Sequence, residues 1–202
     1  MLHALSEACE RNKAPILRVI AEAFARSNDV LEIGSGTGQH AVYFSANLPR
    51  ISWLPSDTAQ FLSGLRERIR LEGGPNLRDA IELDVRQHPW PIDSVEGIFS
   101  ANTLHIMSWG AVQALFRGAG TVLAHAGVLC VYGPFRYGGR FTSDSNAAFD
   151  DFLRSRDPVS GIRDFEAVDA LAQQQGLELV ADHAMPANNQ TLVWRKSRVA
   201  GP

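Results

Sequence analysis

Val30-Leu-Glu-Ile-Gly-Ser-Gly-Thr-Gly38 carries the strongest indication of the fold in this sequence. A short apolar run ends in glycines that alternate with small polar residues, and a helix-forming segment begins at Gln39. This pattern predicts a buried strand, a tight turn and a helix. Gly34, Gly36 and Gly38 allow the backbone to turn sharply and to approach a ligand without an intervening side chain. In a parallel sheet such a loop lies beyond the carboxyl ends of the strands, where ligands bind.

Apolar strands and helix-period segments alternate along the rest of the chain. This alternation predicts an α/β protein with a three-layer, Rossmann-like fold and a seven-stranded, mostly parallel sheet. A short loop separates the last two strands, so an antiparallel C-terminal strand is expected. Strands are predicted at 30–34, 51–55, 80–85, 95–101, 128–132, 177–183 and 191–196. Helices are predicted at 14–26, 39–48, 61–69 and 108–124, around 149–153, and between Asp164 and Gly176.

The composition is that of an ordinary globular chain. Its 202 residues fit one domain (1–202), with an N-terminal lid and helix over 1–28 and an insertion after the fifth strand over 133–163. The net charge of −3, without a basic stripe, argues against nucleic acid as a partner. No apolar run reaches the ~18 residues of a membrane span, and no secretory signal is evident, so a cytoplasmic protein is expected. Neither the cysteines nor the histidines show metal-ligand spacing, so no metal site is expected.

Two features of the glycine stretch bear on its ligand. The dinucleotide fingerprint G-x-G-x-x-G is incomplete, because its last position is Gln39. Glu32 places a carboxylate in an otherwise apolar strand, where an ionised group is costly unless cationic or N–H partners meet it. The ammonium group of a ligand would meet that need.

The stretch 30–38 resembles motif I of the class I S-adenosylmethionine-dependent methyltransferases, in which the strand-end acid meets the methionine part of the cofactor. Asp57 lies about 20 residues past the last glycine, where an acid can accept both ribose hydroxyls, and its removal is expected to change folding little. Asp84 and Val85 end the third strand, where this class offers a carboxylate and an apolar flank to adenine. Each acid alone also fits a helix cap or a solvated loop charge. The resemblance assigns to the cofactor Glu32, Gly34, Ser35, Gly36, Gly38, Asp57, Asp84, Val85, Asn102, Arg11 and Asn12.

Longer motifs across nearly the whole chain resemble the domain-of-unknown-function family numbered 938, which includes the methyltransferase-like 26 proteins. This resemblance implies the methyltransferase fold and S-adenosyl-L-methionine as cofactor, with S-adenosyl-L-homocysteine as product, and it implies no particular acceptor. The motifs are Glu10-Arg-Asn-Lys-Ala-Pro-Ile-Leu17, Ala101-Asn-Thr-Leu-His-Ile-Met107, Tyr132-Gly-Pro-Phe135, Asp157-Pro158, Gly161-Ile-Arg-Asp164 and Met185-Pro-Ala-Asn-Asn189.

Candidate catalytic residues follow the fourth strand, beside the methyl-donor position of this class. Asn102 and His105 stand there. His105 is predicted to be a general base, titrating near the ordinary ~6.5, or a group that orients the acceptor; a structural histidine bonded to a backbone carbonyl is the alternative. Arg11 and Asn12 precede the predicted first helix, where class I enzymes often carry a lid. A solvated helix start capped by Asn12 is the other interpretation.

The charged insertion bears on the acceptor. Its arginines would bind an anionic small molecule bidentately, unless neighbouring acids pair with them. The sequence therefore predicts methyl transfer to a small-molecule acceptor, which these residues would allow to be anionic. A catalytically silent cofactor-binding subunit acting through a partner protein is the alternative, whereas the glycine spacing disfavours a nicotinamide dehydrogenase. The acceptor atom, the need for a base and the oligomeric state stay open. The arginines in question are Arg136, Arg140, Arg154 and Arg163.

Overall fold

The computed structural model of the protein describes residues 6–197, so residues 1–5 of the predicted lid lie outside the described part. Helices and strands alternate through most of the chain. The helices are α1 (Glu7–Ala23), α2 (Gln39–Asn47), α3 (Ala59–Glu72), α4 (Trp109–Val122), α5 (Asp144–Arg156) and α6 (Phe165–Gln174). The strands are β1 (Asp29–Ile33), β2 (Ser52–Asp57), β3 (Ile81–Glu82), β4 (Val95–Ala101), β5 (Leu123–Gly133), β6 (Phe135–Tyr137), β7 (Arg140–Phe141), β8 (Arg163–Asp164), β9 (Leu177–Met185) and β10 (Asn189–Lys196).

The main sheet has seven strands in the order β3-β2-β1-β4-β5-β10-β9. Strands β1 to β5 run parallel, and β10 is antiparallel to both β5 and β9. From β1 the chain builds outward through β2 and β3, and then returns to place β4 on the other side of β1. This reversal leaves a crevice at the carboxyl ends of β1 and β4, the usual ligand position in such sheets. The predicted seven-stranded, mostly parallel α/β fold is confirmed.

Helices cover both faces of the sheet and make two apolar cores. Neighbouring residues of β1 point to opposite faces, so Leu31 packs in the core with α4 and α6 while Val30 packs in the core with α1, α2 and α3. Aromatic rings fill the second core, where Phe44 lies edge-on to Phe99 with centroids 5.3 Å apart. The two cores give the three layers that the alternating sequence pattern predicts.

Several predicted bounds are shifted in the structure, and two of these shifts lie in elements with predicted site residues. Helix α1 begins at Glu7 rather than at residue 14, because the Ser6 hydroxyl caps it by accepting the N–H of Cys9. Pro15 therefore lies inside the helix rather than in its first turn. Asn12 is therefore not a helix cap but a buried residue of α1. The third strand, predicted over 80–85, is limited to β3, because the chain turns after it with the N–H of Gln87 bonded to the carbonyl of Asp84.

The segment after β5 carries a second, three-stranded sheet in the order β7-β6-β8, which the sequence analysis did not predict. Strand β6 is tied to β8 by an ion pair between Arg136 and Asp164, with 2.6 Å between the charged atoms. Helix α5 follows β7. None of the helices within residues 6–197 combines the length and the apolarity that crossing a membrane requires.

Candidate functional site

A cleft of about 750 Å³ lies at the carboxyl ends of β1, β2, β4 and β5. Its walls are formed by the glycine loop after β1 and the start of α2, the first turns of α1, the end of β2 and the start of α3, the loop after β4, the end of β5, helix α5 and the hairpin between β9 and β10. The cleft thus occupies the crevice that the strand order creates.

The glycine loop borders this cleft with its backbone. Gly34 and Gly36 have φ angles of +74° and +54°, in the left-handed region that favours glycine. A Cβ at Gly34 would lie 2.3 Å from the Thr103 side chain, whereas a Cβ at Gly36 would meet nothing within 4 Å. The N–H groups of Gly34 and Ser35 both donate to the carbonyl of Ser56 at 3.0 Å, which holds the loop against β2. Gly38 is the residue before α2 and does not border the cleft.

Asp57, the last residue of β2, faces both the loop and the cleft. One carboxylate oxygen accepts the N–H of Gly36 at 2.7 Å, and the other accepts the N–H of Thr58 at 2.7 Å. Burial raises the pKa of this carboxyl group. An ionised carboxylate offers about four lone-pair positions, so both oxygens retain capacity for hydroxyl donors in the cleft. Because Asp57 also holds the loop by accepting two backbone N–H groups, we expect its removal to destabilise the fold, unlike the expectation from the sequence.

Glu32 lies behind the glycine loop and does not border the cleft. The indole N–H of Trp53 donates to its carboxylate at 2.8 Å, and the Ser35 side chain also bonds to it. Burial raises the pKa of Glu32 to about 7. The protein itself therefore supplies the hydrogen-bond donors that the buried Glu32 carboxylate requires. Its burial is then no evidence for the ammonium group of a ligand. A contact between Glu32 and a cofactor stays a prediction.

The acid at the third strand is engaged elsewhere. The carboxylate of Asp84 pairs with the Arg86 guanidinium at 2.7 Å, and this contact lowers the pKa of Asp84. Val85 is buried in the core that contains α4. Neither Asp84 nor Val85 borders the cleft. Contacts between these two residues and adenine stay a prediction.

Helix α1 borders one side of the cleft, and its role as a lid stays a prediction. Ser6 and Glu10 of this helix are fixed to Gln39: the N–H of Ser6 donates to the Gln39 side-chain oxygen at 2.6 Å, and the Gln39 amide donates to Glu10 at 3.0 Å. The residue that breaks the dinucleotide fingerprint thus ties the lid to the glycine loop. The exposed side chain of Arg11 pairs with Glu7 at 3.3 Å at the edge of the cleft.

A buried polar network joins α1 to the sheet. The Asn12 side-chain oxygen lies 2.7 Å from Nε2 of His40, and the Asn12 side chain also bonds to the hydroxyl of Tyr132. Burial lowers the pKa of His40 to about 4, so its ring is neutral at pH 7. All three residues border the cleft. Sequence reasoning placed Asn12 at the site but missed His40 and Tyr132, although Tyr132 ends a predicted strand just as Asn102 follows one.

Asn102 and His105 both border the cleft, as predicted. Asn102 adopts a left-handed turn with φ +57°, and its N–H donates to the carbonyl of Tyr132 at 2.9 Å. His105 is 5% exposed and lies edge-on to Phe149, with ring centroids 5.4 Å apart. Burial, together with the charge of Arg163, lowers the pKa of His105 to about 4, not the expected ~6.5.

The ring nitrogens of His105 make no hydrogen bond to any residue from 6 to 197. The alternative of a structural histidine bonded to a backbone carbonyl is therefore not what the structure shows. It is the backbone carbonyl of His105 that is bonded, accepting the N–H of Gly161 at 2.8 Å. A buried polar ring without a protein partner is uncommon, and here it borders a cleft.

Three of the insertion's arginines are engaged away from the cleft. Arg136 pairs with Asp164 at 2.6 Å, and Arg154 pairs with Asp150 at 2.7 Å. The Arg163 guanidinium donates to backbone carbonyls of the loop after β4. The expectation that these side chains bind an anionic acceptor therefore loses its basis. The four arginines named from the sequence all lie outside the cleft lining: Arg136, Arg140, Arg154 and Arg163.

The strand order and the cleft define a Rossmann-like methyltransferase fold, and solved structures share it. An O-methyltransferase family protein from Burkholderia thailandensis aligns with a TM-score of 0.81 and 14% identity, over 96% of this chain and 58% of that chain. Human N-acetylserotonin methyltransferase, solved with S-adenosylmethionine, aligns with a TM-score of 0.79 and 15% identity, over 95% of this chain and 53% of that one. The S-adenosylmethionine-dependent methyltransferase SibL aligns with a TM-score of 0.79 and 20% identity, over 94% and 56%.

At such identities the likeness shows the fold, and the chain spans 53–58% of the length of these three proteins. The family model described as protein of unknown function (DUF938) matches residues 3–196. The chain belongs to this family, which confirms the resemblance found in its sequence motifs.

Proposed function

We propose that the protein transfers the methyl group of S-adenosyl-L-methionine to a small-molecule acceptor. One observation carries the proposal: Asp57, at the glycine loop, borders the same cleft as the His105 ring, whose nitrogens have no partner within residues 6–197. An acid at this strand end suits ribose hydroxyls, and a free imidazole in the same cleft suits an acceptor. The fold shared with methyltransferases supports the assignment.

The residues at the cleft fit this cofactor. Gly36 presents open backbone, and a side chain at Gly34 would collide with Thr103, so the loop keeps a bare surface against a ligand. In the proposal Asp57 holds the ribose hydroxyls, and the loop lies along the amino-acid part. Arg11, Asn12 and Asn102 border the remaining walls. Glu32, Gly38, Asp84 and Val85 support the site from outside the lining.

When bound, S-adenosyl-L-methionine supplies a methyl group on a positively charged sulfur and leaves as S-adenosyl-L-homocysteine. The chain's own part is to hold the acceptor's lone pair in line with that methyl carbon at about 3 Å and to exclude water. His105 is neutral at pH 7 and can accept a hydrogen bond from the acceptor through a ring nitrogen. Asn102, in its left-handed turn after β4, orients the acceptor beside it.

Binding is the first test of the proposal. Calorimetric titration should show that the protein binds S-adenosyl-L-homocysteine and does not bind NAD. Labelled S-adenosyl-L-methionine incubated with fractionated small-molecule extract should then label one fraction, with less label for His105→Ala and unchanged label for His125→Ala. His125 is a suitable control because it is exposed and does not border the cleft.

The outcomes separate the rival functions. Tighter binding of NAD than of S-adenosyl-L-homocysteine would contradict the proposal and favour a dehydrogenase. Binding of S-adenosyl-L-homocysteine with no labelled fraction would favour the cofactor-binding subunit that acts through a partner protein.

A further inference from the structure

One part of the cleft wall, away from the glycine loop in the sequence, is largely apolar. It is contributed by the loop after β4, by α5 and by the hairpin before β10, and it presents Ile106, Met107, Phe149 and Pro186. The Phe149 ring is fixed between two aromatic neighbours: it is edge-on to His105 and stacks on Phe152 with centroids 6.5 Å apart. A ligand body resting here would replace water on apolar surface, which is favourable by about 25 cal/mol per Å².

The cleft offers no buried cation to an anionic acceptor. Among the described residues that border it, Arg11 and Asp57 are the charged ones. The Arg11 side chain is 72% exposed and already pairs with Glu7. A carboxylate or phosphate placed against Phe149 would lose its hydration without gaining an ionic partner, at a cost of several kcal/mol.

Two residues that border the cleft nevertheless offer polar groups. One is the His105 ring, whose nitrogens have no partner within residues 6–197. The other is the Tyr132 hydroxyl. Since the Asn12 side-chain oxygen accepts the N–H of His40, the Asn12 amide nitrogen faces the Tyr132 oxygen, and the Tyr132 O–H proton remains free to donate.

Both residues border the same cleft. A Cβ built on Gly133, the residue after Tyr132, would lie 3.6 Å from Nδ1 of His105. His105 therefore packs against β5 at Gly133, whereas the Tyr132 side chain points to the other face of the sheet. Because the cleft lies at the end of the sheet and both residues border it, a ligand group between them can bond to the free donor and to the neutral imidazole.

We propose that the acceptor is an uncharged molecule with an apolar body and one hydroxyl group, which His105 and Tyr132 hold together. The hydroxyl donates to a His105 ring nitrogen and accepts from the Tyr132 O–H. As the new C–O bond forms, the S–C bond breaks, its electron pair returns to sulfur, and the hydroxyl proton passes to His105. This inference rests on the proposed function and narrows its substrate class.

Matched pairs of aromatic fragments test the inference without requiring turnover. Each pair is a phenol and the benzoate of the same ring skeleton, offered to protein saturated with S-adenosyl-L-homocysteine, with binding detected by ligand-observed NMR. We expect phenols to bind and their benzoates not to bind. His105→Ala and the conservative Tyr132→Phe should each weaken phenol binding by about two- to tenfold, the equivalent of one hydrogen bond. The His125→Ala control should bind phenols normally.

The affinity for S-adenosyl-L-homocysteine keeps the two proposals distinguishable. If that product does not bind, the proposed function fails and the inference fails with it. If it binds, then preferential binding of benzoates, a lack of binding by every phenol, or phenol affinities unchanged in both His105→Ala and Tyr132→Phe overturns the inference alone.

Discussion

Replacing Asp57 by alanine should weaken binding of the cofactor and loosen the loop that receives it. The carboxylate accepts two backbone N–H groups, from Gly36 and Thr58, each at 2.7 Å. A buried donor left without a partner costs about 1–3 kcal/mol, so we expect the free energy of unfolding to fall by about that amount. Hydrogen bonds to a charged group contribute about 1.5–3 kcal/mol. Loss of the ribose contact should therefore lower the affinity for S-adenosyl-L-homocysteine about 10- to 150-fold.

Calorimetric titration with S-adenosyl-L-homocysteine and urea unfolding, done on the same preparations, measure the two effects separately. Asp79→Ala is the matched control, because Asp79 is an exposed acid outside the cleft lining. Asp57→Asn tests the clamp further, since an amide offers one acceptor oxygen where the carboxylate offers two. If Asp57→Ala bound S-adenosyl-L-homocysteine as tightly as the unmodified protein, Asp57 would not be the ribose acid.

Three further predictions concern the other acids and the histidine. Asp84→Ala should weaken binding of S-adenosyl-L-homocysteine less than Asp57→Ala does, because the Asp84 carboxylate pairs with Arg86 outside the cleft lining. Calorimetric titration measures both affinities. His105→Ala should lower the single-turnover rate by about 10²–10⁴ while the affinity for S-adenosyl-L-homocysteine is retained. The pKa of about 4 means that the wild-type rate should stay level through pH 6.5 and fall only as the pH approaches about 4, where the ring takes a proton. Trp53→Phe removes the donor to buried Glu32 and should lower the free energy of unfolding by about 1–3 kcal/mol in urea; unchanged stability would contradict the assigned contact.

Local patterns in the sequence predicted most of the sheet. The fourth strand matches its predicted bounds, Val95–Ala101, because its apolar run reflects burial on both faces. The glycine stretch predicted the turn after β1, since few other residues adopt its backbone angles. Strands of two or three residues, such as β7 and β8, carry no readable period, and so the second sheet was missed. Pro15 misled the prediction for α1, because a proline inside a helix looks the same in sequence as a proline in its first turn.

The sequence could not predict which residues pair with the charged side chains. Glu32 finds its donor on Trp53, in the neighbouring strand, and that pairing depends on the register of β1 with β2. The insertion's arginines stand near acids in the sequence, but only the folded chain shows that Arg136 and Arg154 are paired and turned away from the cleft. Composition therefore suggested an anionic acceptor where three-dimensional pairing favours an uncharged one.

The low pKa of His105 constrains when the acceptor's proton can leave. A phenolic hydroxyl with a pKa near ~10 would have to give its proton to an imidazole with a pKa of about 4, and complete transfer before methylation would cost about 8 kcal/mol. The proton must therefore leave as the C–O bond forms or afterwards, when the methylated oxygen is strongly acidic. Holding the hydroxyl in line then contributes more than basicity does. His105→Gln, which retains a hydrogen-bond acceptor, should keep more of the single-turnover rate than His105→Ala, and equal rates for the two variants would refute this order of events.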